Sequence, residues 1–284
     1  MDELIAEAKA AAADCAGRLG INVRELREPA ALEDARRLLG RVWRAESPDQ
    51  VLNAQMMRAL AYAGNYLAGA FRGDVLIGAA VAFFGIDHLH SHITGVDRSS
   101  HSRGIGHAIK LHQRSWALDR RIDSIHWTFD PLVRRNAHFN LHKLGARAVA
   151  YLPDFYGQMT DGINAGDTTS DRLYIRWDVA SPEAVGAAAG DAREVDRDAV
   201  VAAGAAVALG RDADGVPTPG TAVHDGRPLL VAVPPDVESL RGTDPALALR
   251  WRKEVRDALG GALDAGYRIT GMARDGWYLL EGAA

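Results

Sequence analysis

The chain has 284 residues, of which 48% are hydrophobic and 25% are charged; these proportions are ordinary for a folded globular protein and exclude disorder along the whole length. The 33 basic and 37 acidic side chains give a net charge of −4, which argues against a broad surface for nucleic acid or another polyanion. The one cysteine, Cys15, excludes an internal disulfide and any site with several cysteine ligands.

Helical periodicity dominates the start of the chain. Apolar residues recur every three or four positions, which predicts helices over 1–19, 32–42 and 51–60, with a short strand at 21–26. The first ten residues carry acids where a secretion signal would carry basic residues, and no apolar run is long enough to span a bilayer. We therefore expect a cytoplasmic protein with neither a membrane nor a nucleic acid as partner.

A β-rich region follows these helices. Strands are predicted at 66–71 and 75–84, joined by a turn at Arg72-Gly73-Asp74, and a third strand is predicted at 88–96. Beyond that strand the pattern alternates, and it predicts a helix at 105–116, a strand at 122–129, a helix at 132–144, and strands at 146–152 and 172–179.

The composition changes after residue 180. Residues 181–196 are rich in alanine, glycine and acids, and we interpret them as a linker between a domain at 1–180, which includes the N-terminal helix, and a small α/β module at 197–284. Within the module we predict a strand at 228–233, a helix around 251–262 and a C-terminal hairpin that turns at Arg274-Asp275-Gly276. The module is either a degenerate repeat of 88–129 or a separate unit.

The segment His101-Ser102-Arg103-Gly104-Ile105-Gly106 lies between a predicted strand and a predicted helix. Glycine lets the backbone approach a ligand closely, and the first N–H groups of a helix lack intrahelical partners at the positive end of the helix dipole. Such a loop can bind a diphosphate. Ile109 occupies the third glycine position of the dinucleotide fingerprint, so that motif is excluded; a glycine turn that binds nothing is the alternative.

Two motifs and the order of elements resemble the Gcn5-related N-acetyltransferase (GNAT) superfamily over residues 21–180. The pattern Gln/Arg-x-x-Gly-x-Gly/Ala after the fourth strand is similar to 101–106, with His101 in place of Gln or Arg. An Asn-containing helix that ends in Lys-x-Gly-Phe is similar to the segment from Asn136 to Ala146. The resemblance implies an α/β fold with a mixed, mostly antiparallel twisted sheet flanked by helices; the smaller C-terminal β-α-β module can be a degenerate GNAT-like half.

The same resemblance implies that acetyl-coenzyme A or another acyl-coenzyme A binds as co-substrate, with no metal. The backbone of the glycine loop would hold the pyrophosphate, the strand before it would pair with the pantetheine amides, and an asparagine would touch the pantetheine arm. The binding residues predicted in this way are Ile93, Thr94, Gly95, Val96, His101, Ser102, Arg103, Gly104, Ile105, Gly106, His107 and Asn136.

The general acid that many GNAT relatives carry is absent, because Leu141 stands at the position of their tyrosine. Either the thiolate leaves unassisted or another group protonates it. Tyr151 and Tyr156 are the obvious substitutes, and Tyr156 is the better candidate because its Pro-Asp-Phe-Tyr-Gly context predicts a loop. Packing of an aromatic ring near a strand end is the alternative.

A base must accept a proton from the attacking amine. His88, His90 and His92 alternate along one strand, and His92 is the best candidate because it is nearest the end where the strand must splay to admit a thioester. Asp130 follows the strand at 122–129 and is a second candidate. The alternatives are a solvated strand face for the histidines and a helix cap for Asp130.

We therefore expect an N-acyltransferase that moves an acetyl group, or a longer one such as succinyl, from coenzyme A to the amine of a small molecule by direct attack in a ternary complex. Leu141 and His101 depart from the family pattern, which favours as the alternative a non-catalytic acyl-coenzyme A-binding or regulatory protein of the same fold. An unrelated interaction module with a purely structural loop is a third interpretation. Exposed sheet edges would also allow a homodimer.

Overall fold

The computed structural model describes residues 1–100, 104–157, 159, 169–192, 194–220 and 225–282. The helices are α1 (Asp2–Arg18), α2 (Pro29–Val42), α3 (Ala54–Tyr62), α4 (Ile105–Asp119), α5 (Arg134–His138), α6 (Pro182–Ala189), α7 (Arg197–Ala202), α8 (Val237–Thr243), α9 (Pro245–Val255) and α10 (Gly261–Asp264). The strands are β1 (Asn22–Glu25), β2 (Tyr66–Arg72), β3 (Val75–Phe84), β4 (Leu89–Val96), β5 (Ser124–Phe129), β6 (Arg147–Leu152), β7 (Arg172–Asp178), β8 (Ala206–Arg211), β9 (Pro217–Pro219), β10 (Leu229–Ala232), β11 (Arg268–Ala273) and β12 (Trp277–Glu281). Within these ranges, every helix is too short or too polar to cross a membrane.

The larger sheet has the strand order β1-β2-β3-β4-β5-β7-β6; the pairs β1/β2, β2/β3, β3/β4 and β6/β7 are antiparallel, and the pair β4/β5 is parallel. Two helices, a β-hairpin, a strand, a glycine-capped helix and then strand, helix and two strands follow one another along the chain. That is the order the resemblance implies. A smaller sheet has the order β11-β12-β10-β8-β9 among the described residues. The predicted fold class is confirmed.

The chain divides into two compact units. One comprises Met1–Trp127 and Asp178–Ala189, and the other comprises the described residues of Thr128–Thr160, Asn164–Trp177 and Gly190–Ala284. The predicted boundary near residue 180 differs from this division, because residues 128–157 group with the tail. The predicted linker also contains α6, which packs on α1 and buries Ala184 and Ala187. Alanine is the strongest helix former, so its abundance at 181–196 suits a short helix as well as a linker.

The core of the first unit lies between the β2–β3–β4 face and the helices α2 and α3. Leu38 and Leu39 of α2, Met57 of α3 and Val81 of β3 are at most 1% exposed and belong to one apolar cluster. Fully burying side chains of this size stabilises a fold by roughly 1.5–3 kcal/mol each. The predicted turn between β2 and β3 is confirmed, since Gly73 has φ +56° and Arg72 pairs with Val75.

The second unit contains the antiparallel pair β6/β7 and the smaller sheet. Its predicted hairpin forms between β11 and β12, with Gly276 at φ +96°. The helix predicted at 132–144 is present in two parts, because α5 continues into a π-helical turn at Phe139–Lys143. Periodicity alone did not distinguish the wider turn from a regular helix.

Candidate functional site

Helix α4 begins at the predicted glycine loop. Gly104 is its N-cap with φ +105°, a conformation that side-chain-bearing residues rarely adopt, and the first turn carries no acidic side chain. At Gly106, the nearest atom of the described residues that an added Cβ would meet is Val96 Cγ2, at 4.0 Å. His101, Ser102 and Arg103 lie outside the described residues.

The other two loop residues point their side chains into the protein. Ile105 is 1% exposed, and its Cγ2 packs against Gly78 of β3. The Nδ1 atom of His107 lies 3.8 Å from Cys15 Sγ on α1. For both residues, the predicted role in anion binding therefore rests on the backbone.

Strand β4 presents the predicted pantetheine-binding residues. Ile93 is buried in the apolar cluster with α2, and a Cβ added at Gly95 would lie 2.7 Å from the ring of Trp43. Glycine at 95 therefore has a packing reason, since it lets the helix end approach the strand. The side chains serve the core, so the predicted contacts of residues 93–96 with a ligand would come from the backbone.

Strands β4 and β5 pair over only two residues each and then separate. Their parallel pairing covers Leu89 with Ile125 and His90 with His126 and, in the described structure, extends no further. On its other edge β4 stays paired with β3 as far as Val96. The β4 edge that faces away from β3 is therefore open beyond His90, which is the splayed arrangement that admission of a thioester requires.

A β-bulge lies at the point of parting. Val81 of β3 pairs with Ile93 and the next residue, Ala82, pairs with Ser91, which leaves His92 as the extra residue on β4. Bulges bend a strand and redirect its side chains, and they are common beside active sites. The imidazole of His92 lies near that of His90, with ring centroids 6.3 Å apart, and near the ring of Phe83.

Two imidazoles on this strand, those of His90 and His92, have lowered pKa values. Burial, followed by the neighbouring histidines, lowers the pKa of His90 to about 4. Desolvation beside Phe83 also lowers the pKa of His92. A neutral imidazole can accept a proton, so His92 meets the electrostatic condition for the predicted base. His88 instead stacks on His126, at 4.0 Å between centroids, and its Nδ1 lies 2.8 Å from Oδ1 of exposed Asp87.

The depressed pKa of His90 predicts a stability that falls in acid. Between pH 6.5 and about 4 the unfolded chain binds a proton at this residue and the folded chain does not, so the free energy of unfolding decreases as the pH falls through that window. We expect a loss of about 2 kcal/mol from this ring after allowance for solvent screening. Urea unfolding at pH 7 and pH 4.5 should show a smaller loss for His90→Asn than for His88→Asn; equal losses would contradict the assignment.

A buried lysine that the sequence analysis missed lies where the two strands part. Lys110 of α4 is 5% exposed, and its Nζ atom donates to Ser91 Oγ at 2.8 Å and to Gln113 Oε1 at 3.0 Å. The same atom lies 4.0 Å from the ring centroid of Trp127 on β5. Burial lowers the pKa of Lys110 to about 7. The available signal was a lysine directly after Ile109, within the apolar stripe of α4.

Asp130 is held by arginines in the second unit. Its carboxylate accepts from Arg252 at 2.7 and 2.8 Å and from Arg241, and its Oδ1 also accepts from the N–H of Leu132. Burial alone would raise the pKa of Asp130, but Arg252 and then Arg241 hold it well below its usual value. This geometry favours a structural ion pair over the predicted catalytic role, because a carboxylate held so firmly in its charged form is a poor base.

The remaining predicted residues also lie in the second unit. Tyr156 is 43% exposed, and its hydroxyl lies 3.0 Å from Thr128 Oγ1 on β5. Its predicted rival Tyr151 donates to Asp171 at 2.7 Å, and burial followed by that carboxylate raises the pKa of Tyr151 well above its usual value. Tyr156 is therefore the freer hydroxyl of the two. Asn136 is exposed on α5.

A cluster of metal-ligand types also occurs in the second unit. Ligand atoms of His138, His142 and Glu194 lie within 4.8 Å of one another. Glu194 is ion-paired with Arg274, and burial followed by His142, Arg274 and Lys143 lowers the pKa of His138 to about 4. Because Arg274 and Lys143 act on this cluster and Arg274 already neutralises Glu194, we assign no metal to it.

No protein-family model matches the chain, and no curated protein matches it either. Similar solved structures include the ribosomal-protein-S18-alanine N-acetyltransferase from Escherichia coli, which is 12% identical with a TM-score of 0.47 over 57% of this chain and 95% of its own. The aminoglycoside 6'-N-acetyltransferase from Enterococcus faecium is 18% identical, with a TM-score of 0.43 over 56% and 98%. An aminoglycoside 6'-N-acetyltransferase complexed with coenzyme A gives the same values. At these identities and scores the similarity tells nothing about the reaction or the substrate of this chain.

Proposed function

We propose that this protein transfers an acyl group, acetyl or a longer one such as succinyl, from coenzyme A to the amine of a small molecule. The observation that carries the proposal is the open β4 edge, which begins where β5 parts at His90 and continues to Val96 beside Gly106. The six residues from 91 to 96 span about 16 Å between the first and the last Cα, which suits an extended arm that carries amide groups.

The helix terminus at the far end of this edge suits a diphosphate. Backbone N–H groups at the start of α4 lack intrahelical partners, and the helix dipole favours an anion there. No acidic side chain of the first turn opposes it, and among the described residues outside α4 only Val96 lies within 4.0 Å of the position that a Cβ at Gly106 would take. An amide-lined strand that leads to an anion-binding terminus is the combination that an acyl-coenzyme A requires.

The imidazole of His92 and the backbone N–H groups of β4 supply the chemistry where β4 and β5 separate. The imidazole of His92 accepts a proton from the ammonium group of the acceptor, directly or through a water, and the neutral amine then attacks the thioester carbonyl. Backbone N–H groups of β4 that point away from β3 stabilise the oxyanion. The carbon–sulfur bond then breaks, and the electron pair leaves with the sulfur.

Calorimetric titration with acetyl-coenzyme A and with succinyl-coenzyme A tests the binding step. A panel of small amines, with chromogenic detection of the released thiol, tests the transfer. We expect saturable binding of at least one thioester and turnover with at least one amine. Binding without turnover would favour the non-catalytic alternative, and no heat with either thioester would overturn the proposal.

Replacement of His92 tests its role as the general base separately from ligand binding by the β4 backbone. We expect His92→Gln to lower kcat by about 10²-fold or more, with the affinity for acyl-coenzyme A unchanged, because general base catalysis contributes that much. His88→Gln is the matched control on the same strand, since His88 stacks on His126 away from the parting. Equal kcat values for both variants and the parent protein would remove His92 from the mechanism.

A further inference from the structure

Lys110 lies where strands β4 and β5 separate. Its bonding partner Ser91 directly follows His90, the last β4 residue paired with β5. Trp127, whose ring lies beneath the ammonium group, directly follows His126 on the other strand. The Nζ atom therefore lies beside the residues at which β4 and β5 separate, and we place the thioester end of the proposed ligand next to it.

This ammonium group is costly to the fold. In the described part of the chain it is ion-paired with no carboxylate, and its contacts are a hydroxyl, an amide oxygen and an indole ring. The titratable side chains nearest the separation of β4 and β5 include His90 of β4 and His126 of β5. An imidazole carries no negative charge, so neither residue can act as a counter-ion for Lys110. Burying a charge without a counter-ion is strongly unfavourable, and a methionine would fill the same volume without that cost.

We propose that Lys110 is the general acid that protonates the leaving thiolate, in place of the tyrosine that Leu141 replaces. This inference rests on the proposed acyl transfer. The carbon–sulfur bond breaks, its electron pair goes to sulfur, and a proton moves from Nζ to sulfur to give the free thiol and a neutral amine. The acceptor nitrogen releases two protons: His92 accepts the first, before attack, and passes it to water, and the second, released after attack, restores the ammonium group of Lys110 through water.

The acidity of Lys110 suits this step. Its pKa is about 7, whereas that of an alkyl thiol is about 8.5, so transfer of the proton to the thiolate is favourable. At pH 7 about half of the Lys110 side chains still carry the proton. The hydrogen bonds to Ser91 and Gln113 fix the position of the nitrogen atom, which supports transfer in one direction.

Lys110→Met tests the assignment, and Lys9→Met is the matched control, because Lys9 is an exposed lysine paired with Asp119. We expect Lys110→Met to bind acetyl-coenzyme A as the parent does and to lower kcat by about 10²-fold. The fall of kcat above pH 7 in the parent should disappear. The melting temperature should stay the same or rise, because an unpaired buried charge is removed. A merely structural lysine would lower the melting temperature and leave the pH profile in place.

Lys110→Gln is the second variant; it keeps a donor for Ser91 and serves if the methionine variant fails to fold. A kcat within threefold of the parent and an unchanged pH profile in either folded variant would overturn the role of Lys110 while acyl transfer stands. A parent protein that binds no thioester, or that releases no thiol with any amine, would overturn the proposed function and this role with it.

Discussion

Gly104→Asp should weaken the binding of acetyl-coenzyme A by about 100-fold or more. The aspartate would place a negative charge at the N-terminus of α4, where the proposed diphosphate binds, and the two anions would repel each other. It would also occupy a backbone conformation at φ +105° that costs an L-residue roughly 1–2 kcal/mol. Calorimetric titration of the variant and the parent gives the ratio of the two dissociation constants.

Gly64→Asp is the matched control for this prediction. Gly64 ends α3 with φ +81° and open space around it, so the variant carries the same charge and a similar backbone strain away from the proposed site. We expect its affinity to stay within threefold of the parent. An undiminished affinity in Gly104→Asp would mean that the helix terminus holds no phosphate, and the proposed binding mode would be wrong.

Asp130→Asn should destabilise the second unit by about 3–5 kcal/mol. The change removes the negative charge and leaves Arg241 and Arg252 buried without it, and breaking a buried ion pair from one side costs about that much. Thermal unfolding followed by far-UV circular dichroism measures the loss. Asp225→Asn is the comparison, because Asp225 pairs with Arg227 at the surface and such pairs contribute at most about 1 kcal/mol.

The same ion pair predicts the response of the second unit to acid. The pKa of Asp130 is lower in the folded chain than in the unfolded chain, so its contribution is fully present above pH 3.8 and is lost as the pH falls below that value. The parent should therefore lose more stability than Asp130→Asn between pH 5 and pH 2. Parallel loss in both proteins would mean that Asp130 is not the charged partner of the two arginines.

The elements near the glycine loop could be predicted because the signals are local. The start of α4 at Ile105 and the turn at Gly73 each follow from a few adjacent residues, and the structure confirms both. The bulge at His92 could not be predicted, because it is a shift of β4 against β3 and depends on how two strands pair. A sequence pattern of alternating residues contains no record of that shift.

Lys110 and Asp130 are the two residues whose sequence-based interpretation differs most from the structure. The reason is burial for Lys110 and ion pairing for Asp130. Lys110 follows Ile109 in the apolar stripe of α4, but a lysine is normally solvated, and its burial becomes evident only once β4 and β5 are known to separate beside it. Asp130 has the signature of a turn or cap, and its partners Arg241 and Arg252 lie 111 and 122 residues further along the chain. Contacts at such separations leave no local pattern, so the chain beyond residue 180 gave no hint of its link to β5.

The arginine pair on Asp130 also bears on how this protein can be shortened. Arg241 on α8 and Arg252 on α9 are the cationic partners of a carboxylate that directly follows β5. A fragment that stops at residue 180 would keep the carboxylate and discard both of the guanidinium groups that are ion-paired with it. Such a fragment should be insoluble or proteolytically labile, so domain dissection, library selection and crystallisation trials are best carried out on a chain that retains its C-terminal hundred or so residues.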